Sequence, residues 1–276
     1  MIKDVIVNLT VDASRDVAAD YAISLAQAFG AHLAGIGFTY EVPIPGSIFG
    51  STAVRLVEAQ RAENERAARN AIAGFDAATR RVGLSAESHF LNATVPAAAA
   101  TFGRLTRRFD LSVVAQAEPG KLPARELIIE AALFESGRPV LVVPDIQQEG
   151  LKLDRVMVCW DGSRSAARAV ADAMPLLARA KAVEAVVVTG EQAKSSEIAG
   201  ADIAHHLARH GLKVELQEIA AGDLDITNTI LSHAADAGSD MIVMGGYGHS
   251  RLREFVLGGV TRGLLTSMTV PTLMSH

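Results

Sequence analysis

Apolar runs alternate with polar turns and amphipathic stretches along the whole chain. Val5-Ile6-Val7-Asn8-Leu9 leads into Asp12-Ala13-Ser14-Arg15 and then an alanine-rich stretch ending at Phe29-Gly30. Val156-Met157-Val158-Cys159-Trp160 leads into Asp161-Gly162-Ser163-Arg164 and a second alanine-rich stretch. Each unit reads as a buried strand, an acidic turn with a serine helix cap (Ser14, Ser163) and an amphipathic helix. The same order then repeats. Second strands are expected at 32–38 and 183–189, and third strands at 86–91 and 213–219. Helices follow near 95–108 and 226–237. Fourth strands open after an acidic residue, Asp110 or Asp240, and last strands after a proline, Pro139 or Pro271.

Strands that alternate with helices, and that are apolar rather than alternating, predict parallel sheets covered on both faces. The fold class is therefore α/β, with two doubly wound domains in tandem over residues 1–145 and 151–276. Asp145-Ile146-Gln147-Gln148-Glu149-Gly150 is the expected linker, short enough to keep the halves packed together. The first half has an extra loop, Tyr40 to Gly50, and a long helix over about 54–80 with Ala68, Ile72, Phe75 and Ala78 on one stripe. That loop is read as a lid, an interaction surface or a wall between the halves.

Composition narrows the function. The chain has 276 residues, 49% hydrophobic and 21% charged, with a net charge of -5. The acidic excess is spread over both halves, which argues against a nucleic-acid partner. Cys159 is the single cysteine, so no internal disulfide is expected, and a reducing compartment fits. The first residues enter a strand pattern directly, with no signal-peptide pattern, and no apolar run is long enough for a membrane span. A cytoplasmic protein without membrane contact is expected.

The chemistry concentrates in one block. Asp240 to Met244 reads as a strand, Gly245-Gly246-Tyr247-Gly248 as a glycine turn, and Gly258-Gly259-Val260-Thr261 as the entry to a helix. Glycines let phosphate oxygens approach the backbone, and a helix start offers free N–H groups. Backbone N–H groups at Gly248, Gly259 and Val260 are candidate phosphate donors. Thr261 is a phosphate contact or a helix cap, and Arg251 and Arg253 add positive charge. Ligands of open parallel sheets bind at the carboxyl ends of strands where the strand order reverses. Asp161 follows the first strand of this half; it reads either as an acceptor for an adenosine or as a plain turn before a capped helix. His206 and His210, four apart on a helix, have no third metal ligand in sight. No phosphate-loop lysine motif and no serine-nucleophile elbow occurs. The residues favour holding a ligand over transforming one.

Gly245 to Thr261 resembles the nucleotide signature of the universal stress protein family, G-x2-G-x9-G-[ST], and the strand and helix order of both halves resembles that family in tandem form. The resemblance implies a five-stranded parallel sheet per domain. It implies an adenine nucleotide, ATP or a relative, with or without Mg, in the second half. Asp161 would meet the adenosine and the backbone of Val188 the adenine. Met244, Gly245, Gly246, Gly248, His249, Gly258, Gly259, Val260 and Thr261 would complete the site. The resemblance also implies pairing of the two domains through Val140–Val143 and Thr272–Ser275, and allows a homodimer. Hydrolysis is expected to be slow or absent. An interaction protein of the same fold, acting through dimers without nucleotide, is the alternative.

Two departures matter. Gly259 stands where the signature has Ser or Thr, which removes a hydroxyl worth about 1 kcal/mol, or about fivefold in affinity. In the first half, Ala115-Gln116-Ala117-Glu118-Pro119-Gly120 replaces the glycine turn, while Asp12 stands at the position of Asp161. That half reads as a site that no longer takes a triphosphate, left as scaffold or for another ligand.

Overall fold

The computed structural model describes residues 1–11, 14–41, 51–117, 124–189, 201–220, 225–246 and 259–276. The first half contributes β1 (Asp4–Asn8), α1 (Val17–Phe29), β2 (His32–Tyr40), α2 (Ser51–Arg81), β3 (Ala86–Ala93), α3 (Val95–Thr106), β4 (Leu111–Ala115), α4 (Ala124–Glu135) and β5 (Val140–Val143). The second contributes β6 (Arg155–Cys159), α5 (Arg164–Leu177), β7 (Ala182–Thr189), α6 (Ala201–Arg209), β8 (Val214–Ala220), α7 (Ile226–Asp236), β9 (Met241–Gly245), α8 (Gly259–Ser267) and β10 (Thr272–Ser275).

The strands form one sheet in the order β3-β2-β1-β4-β5-β10-β9-β6-β7-β8. Within each half every neighbouring pair is parallel. At the centre β5 and β10 run antiparallel, with Leu141 opposite Leu273 and Val140 opposite Met274. The pairing of Val140–Val143 with Thr272–Ser275 that the resemblance implies is present, and it makes the two five-stranded sheets continuous. The reason is local: β5 and β10 are four-residue, fully buried strands, and each covers the backbone edge that the other would leave open.

Alternate residues of these strands feed two cores, one on each face. Val5, Val7, Leu141, Val158 and Leu273 join one face with α1 and α5. Ile6, Val140, Val142, Met157 and Met274 join the other with α3, α4, α7 and α8. Both cores run across the central joint, so the halves share apolar surface there. The expected stripe of α2 holds: Ala68 and Phe75 are buried, and Phe75 and Ile72 lie where a Cβ on Gly35 or Gly37 would sit.

Caps follow the expected logic with one change. Ser163 caps α5, its Oγ accepting from the Ala166 N–H at 3.1 Å. The cap of α1 is Asp16 rather than Ser14, because its two carboxylate oxygens accept from both the Ala19 and Thr10 N–H groups, which one hydroxyl cannot match. The linker is held down rather than loose. Arg15 donates to the Gln147 and Gln148 carbonyls, and Ser24 Oγ accepts from the Leu151 N–H.

Candidate functional site

In the second half β9 lies between β10 and β6, and β6 between β9 and β7. The crossovers reverse direction between β6 and β9, so the reversal point expected from the sequence falls between these strands. Val158 is paired with Val243, and Cys159 with Val186. The ends of β6, β7 and β9 therefore share one rim, where Asp161, Val188 and Gly245 are found.

Asp161 is exposed, and its Oδ1 accepts from the Ser163 N–H at 2.9 Å. Gly162, at φ 71°, makes the turn. The plain-turn reading is thus realised, while Oδ2 remains available to a ligand hydroxyl. Ser165 is buried and lies 3.0 Å from Ser163 Oγ. Cys159, at the end of β6, is half-buried. Burial first, then the Asp161 and Glu184 carboxylates, push its thiol up to about 12, so it sits there as a neutral small group.

Gly245, which ends β9, and Gly246 just after it have packing reasons of their own. A Cβ on Gly245 would lie 2.5 Å from the Ala166 backbone nitrogen and 2.6 Å from Ser165 Oγ. Gly245 thus lets the strand end run under the first turn of α5. A Cβ on Gly246 would lie 2.8 Å from Leu133 Cδ2, on α4 of the other half. Gly246 also donates its N–H to the Ser275 carbonyl at 2.8 Å, and its carbonyl lies 3.1 Å from a His276 ring nitrogen. His276 packs edge-on to Phe134, at 4.9 Å between centroids. Leu133, Phe134 and His276 escaped the sequence reading, since nothing local to residues 133–134 announces a neighbour at 246.

Met244 is buried, and Val188 is half-buried against the same core face. Gly259 opens α8, and Val260 packs on that face. Thr261 is not the cap expected of it: it lies within the first turn of α8 and is 4% exposed. Gly248, His249, Arg251, Arg253 and Gly258 lie outside the described residues. His206 and His210 meet edge to face at 4.8 Å, and among the described residues no His, Cys, Asp and Glu group is arranged to hold a metal.

In the first half Asp12 and residues 118–123 are outside the described set, but the start of the altered loop is clear. Gln116 Nε2 donates to the Leu265 and Thr266 carbonyls, at 2.9 and 3.0 Å, in the last turn of α8. Its Oε1 accepts from the Asp145 N–H at 3.3 Å. Gln116 is a strap between halves, a role its sequence context did not suggest.

The universal stress protein family model matches residues 152–276. No curated protein matches the chain significantly. Among solved structures, a universal stress protein from Archaeoglobus fulgidus is 15% identical, covering 98% of this chain and 97% of its own, with a TM-score of 0.67. A putative universal stress protein from Pseudomonas aeruginosa is 13% identical, covering 99% and 92%, with a TM-score of 0.58. These two likenesses show a shared fold across both halves. A universal stress protein in complex with cAMP is 20% identical, covering 45% of this chain and 96% of its own, with a TM-score of 0.34. Among the described residues, no helix is long and apolar enough to cross a membrane.

Proposed function

For a chain whose residues 152–276 match the universal stress protein family model, we propose that the second half binds an adenine nucleotide, most simply ATP, with little or no hydrolysis. The observation that carries this reading is the adjacency of β6 and β9 at the reversal point, which brings Asp161 and Gly245 to one rim. The signature from Gly245 to Gly259 continues from that rim into α8. Asp161 would accept from a ribose hydroxyl through Oδ2, and the Val188 backbone would meet the base. The glycines of the signature, with His249, would surround ribose and phosphates, and the N–H groups of Gly259 and Val260 at the start of α8 would face negative charge. A Mg ion, where present, would be held chiefly by the phosphates. On this reading residues 1–145 and 151–276 are two domains, and only the second takes nucleotide.

Mass spectrometry of the small molecules released on denaturing freshly purified protein tests the reading. Adenine nucleotide is expected at up to one per chain. Asp161→Ala should weaken ATP binding about tenfold, the loss of a hydrogen bond to a charged group. Gly248→Glu should abolish it with the thermal melt unchanged. No nucleotide released, together with no ATP binding at millimolar concentration, would favour the interaction protein acting through dimers. Steady ATP turnover that disappears in Asp161→Ala would instead make the chain an enzyme.

A further inference from the structure

A cavity of about 1120 Å³ opens in the other half, at the carboxyl ends of β1, β2 and β4. That is the reversal point of the first half, where β1 lies between β2 and β4. Its volume is on the scale of small-molecule sites, which run to roughly 1,000 Å³. The half whose glycine turn is lost therefore has room for a ligand, and the lining says which kind.

The cavity has an aromatic wall. Phe38 and Tyr40 stack with centroids 6.5 Å apart and ring planes 17° from parallel. Leu9, Val114 and Ile128 add aliphatic surface. Tyr40 brings no charge near neutral pH, since burial pushes its phenol up to about 12 against the opposing pull of Arg125. The cations at the rim are engaged. Arg125 donates to the Gln116 carbonyl at 3.0 Å and to Asp145 at 3.2 Å. Arg15 holds Asp20 at 2.7 Å and the linker carbonyls. The Glu41 and Asp145 carboxylates share the rim and would repel phosphate.

One polar group is left over. Asn8 ends β1, lines the cavity and is 9% exposed, and its Oδ1 has no hydrogen-bond partner among the described residues. A buried acceptor without a donor is costly, and a ligand that supplies the donor relieves it. Asn8 also interrupts an otherwise apolar strand run, so it stands where packing alone would favour an aliphatic residue.

We propose that the first half is a second binding site, for an uncharged, flat aromatic molecule that stacks on Tyr40, which Phe38 backs, and donates an N–H or O–H to Asn8 Oδ1. The site is separate from the nucleotide reading of the second half and does not depend on it. N-phenyl-1-naphthylamine, which is uncharged, aromatic and carries one N–H, is a direct probe for the full-length protein. Its fluorescence should rise saturably with one site per chain, and ATP should not displace it. Asn8→Leu should weaken the probe about fivefold, the worth of one hydrogen bond, with an unchanged or higher melting temperature. Val11→Trp, at the half-buried rim, should abolish binding by filling the mouth. Three results would overturn the proposal: no saturable binding, binding indifferent to either substitution, or displacement of the probe by ATP. The last would make this rim a nucleotide site instead. Failure here leaves ATP binding to the second half intact, so the two readings fail separately.

Discussion

The residue after the fourth strand is Gln116 in the first half and Gly246 in the second, and each touches the last helix of the opposite half. Gln116 reaches out with a long amide and binds the carbonyls that end α8. Gly246 has no side chain and lets Leu133 of α4 settle onto its backbone. The same place in one architecture is a polar strap on one side and an apolar seat on the other. A glycine next to a ligand signature is thus not all for the ligand. Gly245 is required by packing before any phosphate arrives, Gly246 seats Leu133, and in the first half Gln116 joins the halves by another means.

The comparison breaks most completely if the joint is broken. Leu273→Asp sets a carboxylate opposite buried Leu141 at the centre of both halves. It should cost about 4 kcal/mol or more and unfold much of the chain, read as a collapse of the urea midpoint.

Alkali tests the first rim through Tyr40. The Tyr40 phenol of the first rim holds its proton longer when folded, so its contribution is whole below about pH 10 and is lost as pH rises towards about 12. The loss is about 2–3 kcal/mol. Tyr21 and Cys159, both pushed up by burial, add to the same alkaline range. Urea midpoints at pH 8 and pH 12 should therefore fall apart in the wild type, and Tyr40→Phe should shrink the gap without closing it.

The glycines then separate by what they meet. Gly245→Ala collides with backbone at α5 and should cost about 2 kcal/mol. Gly246→Ala meets only the tip of Leu133, which can turn away, and should cost less than about 1 kcal/mol. Thermal melts of the pair that rank the other way would refute the distinction. Between them in size falls Gln116→Ala, which removes the donors to α8 and should cost about 1–2 kcal/mol by urea titration.

Strands and helices were legible because period and punctuation are local. The β2 strand runs two residues beyond its expected end, to Tyr40, and α2 begins at Ser51, three residues early. The tandem order of elements, the stripe of α2 and the Ser163 cap all follow from residues near one another in the chain. The pairing of β5 with β10 was implied by family resemblance, without its antiparallel direction, rather than by the strands themselves, for Val-Leu-Val-Val would pair with any apolar edge. Asp161 was identified with both its readings, and the turn among them is present. The strap at Gln116, the seat under Leu133 and the cavity beside Asn8 were not legible. Each depends on residues more than a hundred positions apart, or on a space, and no local pattern encodes either.

The central pairing has one more consequence. Because β10 lies on β5 of the same polypeptide, the contact that would join two separate subunits is intramolecular, and dilution cannot take it apart. Parallel strands within each half and an antiparallel step between them also point the two rims to opposite ends of the sheet. In a pair of identical subunits every substitution would appear twice. In a single chain each end of the sheet can change alone, which is how one end keeps its glycines while the other carries Gln116 and Asn8.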